Sequence, residues 1–185
     1  IVLGQASEVP SWDEIMLNWG LQLGDEVLAM DLCAYPMQPS DLVGLQQEWL
    51  VAPRLDNLLS CYAGLAALLE ADPEQAGALL VCNDHEEVGS TSSVGADGPL
   101  LERTLARWCP DPQALDQSLM FSADNAHGVH PNYADMHAAS QRPLLNSGPV
   151  LKINANQRYA SEPAMIALAM DLAAMESIPV QQFPK

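Results

Sequence analysis

Residues 78–98 read ALLVCNDHEEVGSTSSVGADG. The stretch opens on a short apolar run, ALLVCN, of the kind a strand shows when both of its faces are covered. It then turns polar and glycine-rich, so a loop leaves the strand directly at its carboxyl end. Upstream, NLLSCYAGLAALLEA (57–71) carries apolar residues on several faces and reads as a well-buried helix. Downstream, PLLERTLARW (99–108) reads as another helix, with Pro99 at its first position. Helix, strand, loop, helix is the repeating unit of a layered α/β domain.

The same alternation continues on both sides. Strand candidates lie at 26–35, 47–52, 118–124 and 148–155, and a last helix starts at Ser161, Glu162 and Pro163. Near the start, Ser11 and Glu14 have capping-box spacing for a helix over WDEIMLNWGLQLG, with Gly20 or Gly24 closing it. The segment MQPSDLVG (37–44) reads as a turn-rich connection. The expected fold class is α/β with a mostly parallel sheet.

Composition narrows the function. The chain has 185 residues, 49% of them hydrophobic, which is enough for a sizeable core and excludes a chain disordered throughout. Seven basic residues stand against 24 acidic ones, a formal charge of −17. Such a chain repels phosphate backbones and anionic lipid, so neither nucleic acid nor membrane is an expected partner. No apolar run approaches the roughly 18 residues of a membrane span. Cysteines stand at 33, 61, 82 and 109 without a C-x-x-C pair. They read as buried, reduced thiols of an intracellular protein. The lack of a starting methionine and the ending QQFPK suggest a piece of a longer protein.

Ligands of open α/β sheets bind beyond the carboxyl ends of strands. Asp56 follows WLVAPRL, Glu86 and Glu87 follow ALLVCN, and Asp124 ends SLMFSA. Carboxylates gathered at one edge repel unless protons or cations compensate, and a divalent metal pair does so. Each also has a bland reading: a helix N-cap for Asp56, a solvated edge for the two glutamates, a turn former for Asp124. His127 and His130 form H-x-x-H, but Gly128 and Pro131 put them in a loop, where two histidines are as readily structural as zinc-binding. His85 reads as a loop residue and His137 as an exposed helix residue. No nucleophile elbow, phosphate loop, H-E-x-x-H or dinucleotide fingerprint is present.

Read together, APRLDN (52–57), NDHEEVGSTS (83–92), SADNAHGVHPNY (122–133) and GPVLKINANQRYAS (148–161) resemble the aspartyl aminopeptidase family of dinuclear zinc metallopeptidases, from about Asp25 onward. The resemblance implies a three-layer sheet flanked by helices, with residues 1–44 the tail of an inserted dimerisation domain and 45–185 a partial catalytic domain. It implies two divalent ions, zinc in this family. Asp56 would bridge them, Glu87 would bind one and Asp124 the other. Glu86 would be the general base acting on the water between them. His127, His130, Lys152 and Tyr159 would line the substrate pocket, with Lys152 pairing an acidic first side chain; an ordinary strand-edge lysine is the alternative. The implied function is removal of N-terminal Asp or Glu from peptide substrates by a cytoplasmic homo-oligomer built from dimers.

The family's two histidine ligands have no counterpart here. Three carboxylates without an imidazole suit harder cations better than zinc. The expectation is weak zinc binding and little activity for these residues alone, and a partial sheet with an unpaired edge and an uncovered apolar face. Two other readings stay open. One is an assembly module using the Trp- and Met-rich stretches of residues 1–44. The other is a different co-catalytic metallohydrolase, such as an acylase.

Overall fold

Ser11 begins the first helix as its spacing predicts. In a computed structural model, residues 10–20, 28–29, 31–72, 74, 76–86, 88–139, 141–156 and 158–184 are described. Helix α1 spans Trp12–Asn18; the Ser11 Oγ accepts from the Glu14 N–H at 3.3 Å, and the Glu14 carboxylate accepts from the Ser11 N–H at 2.8 Å. Two orphan donors of the first turn are thereby satisfied. The helix ends at Trp19, and Gly20 follows at φ +77°. Strands β1 (Asp41–Val43) and β2 (Trp49–Val51) form an antiparallel hairpin with Leu42 opposite Leu50. The expected turn at 37–44 therefore carries strand at Asp41–Val43. These elements belong to the first of two compact units, which divide after Val51.

The second unit carries α2 (Leu55–Glu70), α3 (Leu100–Trp108), α4 (Pro112–Asp116), a 3-10 helix (Pro131–Met136), β3 (Val150–Ile153), α5 (Pro163–Met175) and β4 (Gln181–Pro184). Strands β3 and β4 pair in parallel across α5, a βαβ unit. The Gln181 side chain ties this unit to the preceding loop. It accepts from the Leu144 N–H at 2.8 Å and donates to the carbonyls of Leu144 and Gly148 at 3.0 and 3.1 Å. Pro163 stands at the start of α5, with Glu162 as N-cap.

Gly148 sits at φ +88°, and a Cβ there would collide with the Pro179 carbonyl oxygen. A Gly148→Ala substitution combines left-handed strain with overpacking at the mouth of the β3–β4 pair. It is expected to destabilise the protein by about 3 kcal/mol in urea unfolding; wild-type stability would show that the approach is not formed in solution.

Several expectations are corrected. Residues 78–83 and 118–124 join no ladder, nor do 28–29 and 31–35; residues 26, 27 and 30 lie outside the described residues. A strand exists through its neighbours, and among the described residues these segments have none. Pro99 is the N-cap of α3, not its first helical residue. Helix α2 was expected to be well buried, yet none of its residues is, and Leu58, Tyr62 and Leu69 are 57%, 71% and 78% exposed. A helix apolar on several faces needs a layer against each of them. Large apolar side chains thus stand exposed among the described residues.

Burial of the thiols is also not met. All four cysteines are free, with Cys33 and Cys82 exposed and Cys61 and Cys109 half-buried. Cys82 meets Cys61 of α2, whose hydrogen bond, with some burial, pushes the Cys82 thiol up. Nearby, Gly64 makes room for Leu80: a Cβ would lie 2.8 Å from its Cδ1. These contacts dock α2 on the segment that leads into the 84–98 loop. No described helix is long and apolar enough to cross a membrane.

Candidate active site

The entry into α2 is irregular around Asp56. Arg54 has φ +61°, Asp56 is extended, and the Asp56–Asn57 peptide bond is cis. The N-cap position is Arg54, so the N-cap reading of Asp56 is set aside. Instead Asp56 lines a cleft of about 270 Å³ with Glu86, Asp124, Asn125, Ala126, His127, Lys152, Tyr159 and Phe183.

Glu86 reaches the cleft from the 84–98 loop. His85 adopts φ +56°, and the Gly89 N–H donates to the His85 and Glu86 carbonyls at 3.0 and 3.1 Å. The His85 Nδ1 lies 3.1 Å from the Ser92 Oγ, within its own loop, as a loop residue would. Glu87 lies outside the described residues.

Asp124 and Asn125 open the next loop. The Lys152 ammonium of β3 donates to Asp124 Oδ2 at 2.6 Å and to the Asn125 carbonyl at 2.8 Å. Asn125 joins three elements. Its Oδ1 accepts from the Ser60 Oγ of α2 at 3.0 Å, its Nδ2 donates to the Leu55 carbonyl at 3.2 Å, and its own carbonyl holds Lys152. The sequence motif that contains Asn125 gives no sign of this role. Nor does the sequence single out Phe183, which enters the cleft only through the β3–β4 pairing.

Burial raises the Asp124 pKa, but the hydrogen bond and charge of Lys152, contact with Asp56 and the Asn125 N–H together outweigh it. The carboxyl therefore titrates below the ordinary aspartate range.

Three carboxylates face one ammonium in this cleft, and two of them, Asp56 and Asp124, touch. The oxygen donors of Asp56 and Asp124, side by side in the cleft, fit a divalent cation. The fit is partial, because among the described residues no three His, Cys, Asp or Glu side chains are grouped to hold an ion.

His127, Lys152 and Tyr159 line the cleft as expected of pocket residues, whereas His130 is not among its lining residues. The His130 Nδ1 caps the 3-10 helix by accepting from the Asn132 N–H at 3.1 Å, and its ring lies 5.2 Å from that of Tyr133. The loop carrying both histidines is pinned by the Val129 N–H donating to the buried Pro143 at 2.7 Å. His137, expected on an exposed helix, instead follows the 3-10 helix as a half-buried residue.

Comparison with known proteins finds relatives over nearly the whole chain. The family model described as aminopeptidase I zinc metalloprotease (M18) matches residues 13–184. A probable M18 family aminopeptidase 2 of Pseudomonas entomophila is 55% identical over 163 residues, covering 86% of this chain and 38% of that protein. The chain thus spans less than half the length of the curated relatives it matches. Yeast aminopeptidase 1 superposes with a TM-score of 0.73 at 26% identity, over 97% of this chain and 48% of that one. An S. cerevisiae mApe1 dodecamer gives 0.77 at 27% identity, over 93% and 42%. With nearly its whole length matched, the chain belongs to the aminopeptidase I zinc metalloprotease family, M18.

Proposed function

We propose that the protein containing this chain is a metallo-aminopeptidase that removes N-terminal Asp or Glu from peptides. The observation that carries this reading is the single cleft shared by Asp56, Glu86, Asp124 and Lys152. Asp56 and Asp124 would hold divalent ions, two zinc ions in this reading, with Glu87, beside Glu86 in sequence, as a further ligand. Such ions, when bound, would supply Lewis acidity and would lower the pKa of water at the site.

The chain's own groups do the rest. Glu86 takes the proton of the attacking water and passes it to the departing amine. Lys152 has its ammonium in the cleft, where it meets an acidic first side chain. His127 and Tyr159 line the space around the substrate. His130 shapes the pocket through the loop it caps.

The remainder of the reading follows the family. Residues 1–44 are the tail of a dimerisation domain, and 45–185 are part of a three-layer catalytic domain. The protein is a homo-oligomer built from dimers, a reading supported by the dodecamer among its structural neighbours and by the exposed apolar faces. Its four free thiols suit the cytoplasm.

The test is a panel of unblocked and N-acetylated peptides given to the intact protein, with zinc measured alongside. Cleavage of free N-terminal Asp and Glu supports the proposal. Cleavage of N-acylated substrates alone would make the protein an acylase. No hydrolysis by a zinc-loaded protein would leave assembly as its role.

A further inference from the structure

Lys152 does not stand alone on its side of the cleft. In the parallel register its partner across the ladder is Phe183 of β4, which also lines the cleft. Along β4, Gln181 and Phe183 are half-buried while Gln182 and Pro184 are exposed, so Phe183 lies on the covered side of the strand. Its ring is backed by His137, with centroids 5.5 Å apart and planes tilted at 52°. The His137 Nδ1 is buried and has no hydrogen-bond partner among the described residues. The ring gives the Phe183 phenyl an aromatic neighbour to pack against.

We infer that Phe183, positioned by His137, is the wall that limits how long the substrate's first side chain can be. Lys152 binds the carboxylate of that side chain, and the phenyl ring meets its methylene groups. The inference rests on the peptidase reading above.

The experiment uses the intact protein with the anilides of aspartate, glutamate and 2-aminoadipate, which share one charge and increase in length. The Phe183→Ala variant is expected to lower the aspartyl to aminoadipyl ratio of kcat/KM about 10-fold, chiefly through KM. Phe183→Leu moves the ratio the same way by less, and decides the matter if the alanine variant does not fold. His137→Ala follows Phe183→Ala, whereas His137→Phe keeps the wild-type ratio and melts no lower than wild type. An unchanged ratio in the Phe183 variants overturns the wall, as does His137→Phe behaving like His137→Ala. Wild-type protein that hydrolyses none of the three anilides overturns the peptidase reading itself, and the wall with it.

Discussion

Glu86→Gln in the intact protein is expected to lower kcat by about 10²–10⁴-fold, the range typical of a lost general base. Zinc content should stay near that of the wild type, because a base acting on water needs no direct bond to an ion. The substitution keeps the size of the side chain and removes only its ability to carry the proton. Glu86 lines the same cleft as Asp56 and Asp124, and in the proposed reading it acts on a nucleophile bound there. The check is steady-state turnover of an aspartyl anilide beside elemental analysis. Turnover near wild type would remove Glu86 from the proton-transfer step; turnover lost together with zinc would make it a ligand instead.

Lys152→Met carries the second large effect. Truncating one partner of a hydrogen-bonded charge pair in a binding site costs about 2–5 kcal/mol. Rates on Asp and Glu substrates should therefore fall by about 30-fold or more in kcat/KM, with leucyl and alanyl substrates affected less. An equal loss on all substrates would mean that the lysine only orders the loop through Asp124 and Asn125.

The same variant has a pH signature. Asp124 titrates below its unfolded value in the native protein, with Lys152 opposing the effect of burial. Its contribution to stability is thus present above the unfolded pKa and is lost as pH falls through the depressed folded pKa. Without Lys152 the folded pKa rises, so acid unfolding should begin at higher pH. The Asp124 side chain is 44% exposed, which limits the effect to about 1 kcal/mol or less. Fluorescence-monitored acid titration of both proteins reads it; coincident curves would show that the pair is not formed in solution.

Short-range rules account for the parts of this protein that could be read from its residues in order. Ser11 and Glu14 specify α1, periodicity and propensity specify α2, α3 and α5, and Pro163 marks where α5 starts. The carboxylates could be located at the ends of apolar segments for the same reason. Family motifs then suggested roles for Asp56, Glu86, Glu87 and Asp124 that spacing alone left open.

Other features depend on partners distant in the chain. Residues 78–83 have strand-like composition, yet a ladder needs a neighbour that no local pattern supplies. Helix α2 has the composition of a buried helix, but burial depends on what is packed against it. The cleft itself is assembled by contacts across 65 residues from Ser60 to Asn125, 70 from Asn125 to Leu55 and 28 from Lys152 to Asp124. Phe183 meets Lys152 through a parallel register set across α5. The linear order of residues thus establishes which chemical groups are available and which helices form, because those follow from neighbours a few positions away. Which groups share a cavity, which histidine faces the cleft and which phenyl ring stands beside the lysine are settled by folding, because each depends on chain segments brought together from far apart.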